Sequence, residues 1–377
     1  MPTRSQGSSL GVLNSRVDNI VRTWIANLHV DRGIGRMVLL LVIAFGVFAA
    51  LNPRVFLNPL NLQNIMVSAP EVGLLAIAMT LAMLTGGIDL SLVSIANLTA
   101  ITISTMYAGL AASDPALAES LGGMIVVVGV AVGVGAGLIN AVLISTVGIA
   151  PILATLATMQ IFNGLAIVWT GGRTLYGAPE ILGGVGQSTV AGIPVLFLIF
   201  VVVAIAIGVL IGRTPFGRKT QLQGSNPAAA RYSGIRSASV LYGTYVTTGL
   251  LGGLAGVLFV TRNPTASADY GTSYVLLVIV IAVLGGTNPM GGFATVTGVV
   301  LATLVLQVVQ SGFNAIRLSS YEYSIAQGVI LIGVMVFDQV RFRRRGRYVP
   351  STQTRNIASL SGVGNDTKKR FDEVKST

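Results

Sequence analysis

Apolar residues along this chain run in long blocks separated by short polar segments, and most blocks approach the roughly 20 residues that a helix needs to cross a bilayer core. About ten such blocks can be placed, at approximately 37–52, 62–84, 88–109, 121–146, 150–171, 193–212, 238–261, 273–289, 293–313 and 322–338. They predict an all-α polytopic membrane protein whose spanning domain covers 37–338. Ahead of the first block, Val17, Ile20, Val21, Trp24 and Leu28 recur at helical spacing, with Arg16, Asp18, Arg22 and Asn27 off that stripe. Segment 1–36 is therefore expected to hold an amphipathic helix, lying in the interface or packed on the cytoplasmic face of the protein. The apolar run begins only at Met37 and is followed by no convincing small-residue cleavage pattern, which argues against a cleavable signal peptide. Segment 339–377 is basic, polar and Ser-rich, and is expected to be a disordered cytoplasmic tail.

Charge fixes the expected orientation. Of the 24 Lys and Arg residues, five precede residue 37 (Arg4, Arg16, Arg22, Arg32, Arg36) and five fall in 212–237 (Arg213, Arg218, Lys219, Arg231, Arg236). Ten more follow residue 338, leaving Arg54, Arg173, Arg262 and Arg317 isolated. Threading ten spans from a cytoplasmic N-terminus puts all three clusters inside and the four lone arginines outside, as the positive-inside rule requires. Both termini are thus expected in the cytoplasm. The net charge of +11 reads as topology and gives no reason to expect nucleic acid. With no cysteine and His29 as the one histidine, thiolate chemistry and a His-based metal site are excluded, and no metal is expected. Glycine is abundant, 46 residues, and falls at packing intervals: Gly129, Gly133 and Gly137 in the fourth block, Gly249 with Gly253 and Gly252 with Gly256 in the seventh. Such stripes let helix backbones approach closely.

Two places interrupt the apolar pattern. One is Thr85-Gly86-Gly87-Ile88-Asp89-Leu90-Ser91; the other is Gly285-Gly286-Thr287-Asn288-Pro289-Met290-Gly291-Gly292. Glycine pairs and proline free backbone groups that only protein or a wet cavity can satisfy at membrane depth. The breaks lie about 200 residues apart, at comparable places in two halves of five blocks each, so an inverted repeat with unwound segments lining the pathway is expected. Gly86, Gly87, Asp89, Ser91, Gly285, Gly286, Thr287, Asn288, Gly291 and Gly292 are the candidate pathway and gate residues. Asp89 has two readings: a charged gate, or a carboxylate that with Ser91 caps the third helix. Glu71, beside Pro70, is a second acidic residue in apolar territory. Acidic groups are otherwise too sparse for a proton relay.

The longest internal cytoplasmic loop, 212–237, reads as a turn at Thr214–Arg218 and a helix around Asn226–Tyr232, since Pro227 followed by three alanines is good helix chemistry. A small-residue helix there suits docking to another protein. Gly212 and Gly217 have the spacing of a phosphate-binding loop, but Arg218 stands at the lysine position and no βα context surrounds it. Any ATP site must lie on a separate subunit, so this chain is expected to bind no cofactor itself.

Several of these residues together resemble a known family, the permease subunits of bacterial ABC importers for ribose, xylose, arabinose and related sugars, over about 55–340. The carriers are Gly87-Ile88-Asp89-Leu90-Ser91; Pro151 through Thr155 with Leu156, Thr158 and Met159; Thr214, Phe216, Gly217 and Arg218; Gly224, Asn226, Ala229, Ala230, Gly234 and Ile235; and Gly285, Gly286, Thr287, Gly291 and Gly292. The resemblance implies a permease in the bacterial inner membrane, without its own ATP site, that works with a second permease subunit, identical or paralogous. It also implies two cytoplasmic ATP-binding subunits and an extracytoplasmic sugar-binding protein as partners. Phe216, Gly217, Arg218, Gly224, Asn226, Ala229, Ala230 and Gly234 become the expected ATPase-coupling residues. The chain departs from the family pattern at Ala228, where relatives often carry an acid, at Val275 and Leu277, and at Val93 in place of glycine. Those departures leave the sugar open, a furanose, another small polyol or a signalling sugar included. Rival readings are a branched-chain amino-acid permease of the same general type, an ion-coupled secondary transporter, and a membrane-embedded enzyme. The Gly-Ile-Asp-Leu-Ser segment disfavours the first, and no convergent acid, base or metal groups support the last.

Overall fold

The computed structural model describes residues 32–319, 322–323, 325–329 and 332–333. The amphipathic stripe at 17–28, most of the tenth block and the tail after 338 lie outside these. Among the described residues, eight helices are long and apolar enough to cross a membrane. They are α1 (Arg32–Leu51), α2 (Pro59–Leu84), α3 (Leu92–Ala111), α4 (Gly122–Val142, prolonged by a π turn at Leu143–Val147), α5 (Pro151–Thr170), α6 (Val195–Arg213), α9 (Ser237–Arg262) and α11 (Val296–Ala315). Two short helices, α7 (Pro215–Ser225) and α8 (Pro227–Tyr232), form the loop between α6 and α9, and α10 (Tyr274–Leu284) precedes α11. The only strand pairs among the described residues are two-residue ladders, Leu175–Tyr176 with Thr265–Ala266 and Thr189–Val190 with Ile193–Pro194. The chain divides into two compact units at Ser324; the described residues of the second, 325–329 and 332–333, are helical.

The all-α polytopic expectation therefore holds, with two local corrections. The eighth block, 273–289, yields a helix of only 11 residues, about 16 Å long. That is roughly half a bilayer core, so α10 does not span alone. The segment predicted as a turn at 214–218 is instead the first turn of α7: the Thr214 hydroxyl accepts the Gly217 N–H, and Pro215 occupies N1, where its missing donor costs nothing.

Burial ranks the helices. The central one is α2, with 83% of its apolar window buried, whereas α5 and α6 bury 28% of theirs. Around α2 stand α9, α11, α6 and α10. Large side chains such as Val127, Val168, Trp169 and Val202 are exposed on α4, α5 and α6, an apolar outer belt suited to hydrocarbon.

The glycine stripes give the bundle its tightest seam. Helix α9 uses one row against α4: a Cβ on Gly249 would stand 2.5 Å from the Gly133 carbonyl oxygen and 2.6 Å from Gly137 Cα. Its other row, Gly252 and Gly256, lies against Ile95, Ala96 and Thr99 of α3. Small residues thus place three spanning helices at backbone contact, where dispersion and close packing replace the missing hydrophobic drive. A Cβ at Gly135 of α4 would meet no atom within 4 Å. Gly135→Ala is accordingly expected to leave the detergent melting temperature nearly unchanged and Gly249→Ala to lower it by several degrees; equal drops would mean that the seam relaxes freely.

Candidate functional site

Both glycine breaks are helix C-caps of one design. At the end of α2 the Gly86 N–H bonds the Met83 carbonyl (2.8 Å) and the Gly87 N–H bonds the Ala82 carbonyl (3.2 Å). At the end of α10 the Gly286 N–H bonds Val283 (2.9 Å) and the Thr287 N–H bonds Ala282 (3.0 Å). This paired pattern demands a left-handed residue immediately after the C-cap, which glycine adopts without Cβ strain; Gly86, after Thr85, has φ +82° and Gly286, after Gly285, φ +93°. The second break then folds on itself. The Asn288 side chain accepts from the Met290 N–H and donates to the Gly291 carbonyl, while Thr295 donates to the Gly285 carbonyl across the turn.

The two breaks touch. The Gly292 N–H donates to the Leu84 carbonyl at 3.0 Å, and the Thr287 and Thr80 hydroxyls lie 3.4 Å apart in the buried interior. A third element enters the same junction, because α7 runs past it. A Cβ on Gly224 would land on the Leu84 carbonyl oxygen and stand 2.7 Å from Gly292 N. One on Gly291 would stand 2.7 Å from the Gly224 carbonyl oxygen and 2.9 Å from Gly86 N. Gly86, Gly224, Gly291 and Gly292 therefore bring three stretches of bare backbone together.

Beyond Gly86, the first break is clasped by a buried polar chain. Asp89 Oδ1 accepts from the Ser91 N–H (3.1 Å) and the Ser91 hydroxyl (2.6 Å), and Oδ2 accepts from the Thr248 hydroxyl of α9 (3.0 Å). The Ser91 oxygen accepts from Asn140 Nδ2 of α4 (2.8 Å), and Asn140 Oδ1 accepts from the Thr158 hydroxyl of α5 (2.7 Å). Thr155 bridges the same loop, accepting from Leu90 N–H and lying 3.0 Å from the Ile88 carbonyl. Asp89, Ser91, Asn140, Thr155, Thr158 and Thr248 are all buried. The carboxylate thus orders the entry to α3 through Ser91 and ties it to α9, while the Ser91 side chain makes no capping bond of its own to that helix. Gly87 packs against this clasp, since a Cβ there would stand 2.5 Å from the buried Tyr245 hydroxyl. Sequence reasoning named Asp89 and Ser91 but not Asn140 or Thr248. Asn140, the one polar side chain of α4, carried such a signal; Thr248, one of several hydroxyl residues on α9, did not.

The loop residues separate into two faces. Gly217 and Ala230 are buried, Gly224 sits in the junction, and the Phe216 ring packs on Gly243 of α9. Arg218, Asn226, Ala229 and Gly234 are exposed, as is Tyr232. Asn226 caps α8 by accepting the Ala229 N–H at 3.0 Å, which holds the exposed helix in a fixed pose.

A helical bundle with a half-length helix, two capped interior breaks and a loop helix packed against both has the architecture of a membrane transporter. The chain matches the family model described as "Branched-chain amino acid transport system / permease component" over residues 61–336, and it belongs to that family. It is 35% identical over 310 residues to the Ribose import permease protein RbsC of Bacillus subtilis, covering 81% of this chain and 91% of that protein. It is 32% identical over 326 residues to the Autoinducer 2 import system permease protein LsrD of Yersinia enterocolitica, covering 84% and 95%. With the D-allose transport system permease protein AlsC of Escherichia coli it shares 30% identity over 302 residues, covering 80% and 90%. No solved structure matches the chain.

Proposed function

We propose that this chain is the membrane-spanning permease subunit of an ATP-driven importer for a monosaccharide or a similar small polyol. The observation that carries the reading is the packing of Gly224 against the hydrogen bond that joins Leu84 to Gly292. A force applied to the α7–α8 loop from the cytoplasm would reach both breaks at one junction, which is what coupling to an external motor requires. The names of the relatives, for ribose, D-allose and autoinducer 2, support a sugar-like cargo. The family model carries a branched-chain amino-acid description, and Gly87-Ile88-Asp89-Leu90-Ser91 is the local feature that favours the sugar branch.

In this reading the chain hydrolyses nothing and holds no cofactor; ATP is bound and cleaved by two cytoplasmic subunits that grip α8. The basic clusters support a cytoplasmic side of a bacterial inner membrane for the loop, both breaks and both termini. A second permease subunit, identical or paralogous, completes the pathway, lipid covers the apolar belt, and an extracytoplasmic binding protein delivers the sugar. The residues of the two breaks act as the gate.

A mild-detergent pull-down of the tagged chain, with partners identified by mass spectrometry, tests this directly. An ATP-binding subunit is expected in the complex. Ala229→Glu puts a charge on the exposed face of α8 without touching the bundle, and is expected to reduce ATPase recovery at least tenfold while membrane insertion stays normal. Uptake that survives loss of every ATPase, and collapses with an ionophore, would instead identify an ion-coupled carrier.

A further inference from the structure

Glu71 stands near the middle of α2, directly after Pro70, and is 1% exposed. An acidic residue at that depth is costly unless paired, and such residues mark solute pathways. Its Oε2 meets Arg262 Nη1 at 3.4 Å and accepts from the Tyr270 hydroxyl at 3.1 Å. Its Oε1 is buried with no donor. Burial, and then the adjacent Glu71 carboxylate, push the Tyr270 phenol upward, so it stays protonated and keeps donating.

Asn97 of α3 repeats this situation at the other end of the same residue. Its Nδ2 donates to the carbonyls of Ala268 and Tyr270, each at 2.8 Å, while its Oδ1 is buried without a donor. The connection between α9 and α10 therefore passes between two orphan acceptors, with Tyr270 reaching Glu71 by its side chain and Asn97 by its main chain. Phe259, Tyr270 and Tyr274 add an aromatic wall, Phe259 and Tyr270 meeting edge to face at 4.7 Å between centroids and Tyr270 and Tyr274 at 6.1 Å. The Arg262 side chain is 31% exposed, so the cluster meets the surface at its guanidinium. Because α9 starts at the α7–α8 loop and ends at Arg262, the cluster lies toward the opposite side of the bundle from that loop.

Unsatisfied buried acceptors are rare in native folds and call for an explanation. Two of them, with a guanidinium donor and flat apolar rings beside them, match a ring bearing several hydroxyls: each hydroxyl can donate to an orphan oxygen or accept from arginine, and the C–H face packs on an aromatic side chain. The pairing of Glu71 with Arg262 leaves no net charge for a charged solute to balance. We propose that Glu71, Asn97, Arg262 and Tyr270 form a subsite for a neutral polyhydroxylated ring, on the side of the bundle opposite the coupling loop, with Glu71 Oε1 and Asn97 Oδ1 each accepting from a ring hydroxyl. This rests on the sugar-import reading above.

The test is ATP-driven uptake into proteoliposomes holding the complete transporter with saturating binding protein. D-Ribose, D-allose, D-xylose and L-arabinose are assayed first, then the monodeoxy analogues of whichever sugar wild type carries. Glu71→Gln is expected to cut uptake of the parent sugar at least tenfold, and to match wild type within twofold on the one analogue lacking the hydroxyl that Glu71 receives. Tyr270→Phe, which frees the carboxylate without removing it, is expected to weaken discrimination at the same hydroxyl and keeps the test open where Glu71→Gln is recovered poorly. A deficit of equal size on every analogue, or none at all, would reduce the cluster to a structural latch and overturn the inference while leaving sugar import standing. A wild-type complex that moves none of the four sugars, nor any further pentose, hexose, small polyol or autoinducer 2 in a widened panel, would overturn the inference and the import reading together.

Discussion

Gly224→Ala is expected to reach the membrane in normal amount, recover its ATPase partner, and transport at less than a tenth of the wild-type rate. Here the added carbon falls on the Leu84 carbonyl oxygen and 2.7 Å from Gly292 N, two atoms that are themselves hydrogen-bonded at 3.0 Å. Accommodating it must open that bond and part the ends of α2 and α10. Overpacking costs about 1–3 kcal/mol, and a stranded buried backbone group about 1–3 kcal/mol more. Because each 1.36 kcal/mol is tenfold in rate, even the lower part of that range suffices if the junction must hold its shape during transport. The exposed surface of α8 is untouched, which is why partner recovery should persist. Gly109→Ala is the control: it adds the same methyl on α3 with no atom within 4 Å, and should leave uptake unchanged. Wild-type rates from Gly224→Ala would show that the loop does not act through this junction.

The residues that were legible in the sequence are those whose signal is local. Blocks of apolar residues gave away α2 to α6, α9 and α11, and glycine pairs marked the breaks, because a left-handed cap leaves its trace in one or two adjacent positions. The stripes at Gly133 and Gly249 announced close packing but not their partner, since a flat groove does not name what fills it. The length of α10 was hidden because its apolar run continues through Gly285 and Gly286, so hydropathy carries across a stop that only backbone geometry makes. Gly224 read as one small residue in a polar loop; its partners, Leu84 and Gly292, are remote in sequence. Arg262 was read as a lone loop arginine outside the membrane and Glu71 as an acid of unknown depth. Each explains the other once α2 and α9 pack side by side, and neither pattern alone contains that contact.

Asp89 allows charge to be separated from hydrogen bonding, and the expected outcome is that bonding decides. In Asp89→Asn one side-chain oxygen can still accept from the Ser91 N–H and hydroxyl, and the new amide can donate to Thr248, whose own proton then goes to the Tyr245 carbonyl 3.0 Å away. Every buried group keeps a partner, so uptake within about threefold of wild type and a melting temperature within a few degrees are expected. Asp89→Ala leaves the Ser91 N–H and the Ser91 proton without an acceptor and severs the tie to Thr248, whose proton keeps the Tyr245 carbonyl. Removing one partner of a buried network costs the desolvation of each group left behind, about 1–3 kcal/mol apiece, so at least about 2 kcal/mol should be lost across the junction of α3, α4, α5 and α9. That variant is expected to unfold well below wild type in detergent and to lose uptake. An asparagine variant that melts like wild type yet fails to transport would reverse the conclusion: the clasp would then be intact and the negative charge itself would be what opens the gate.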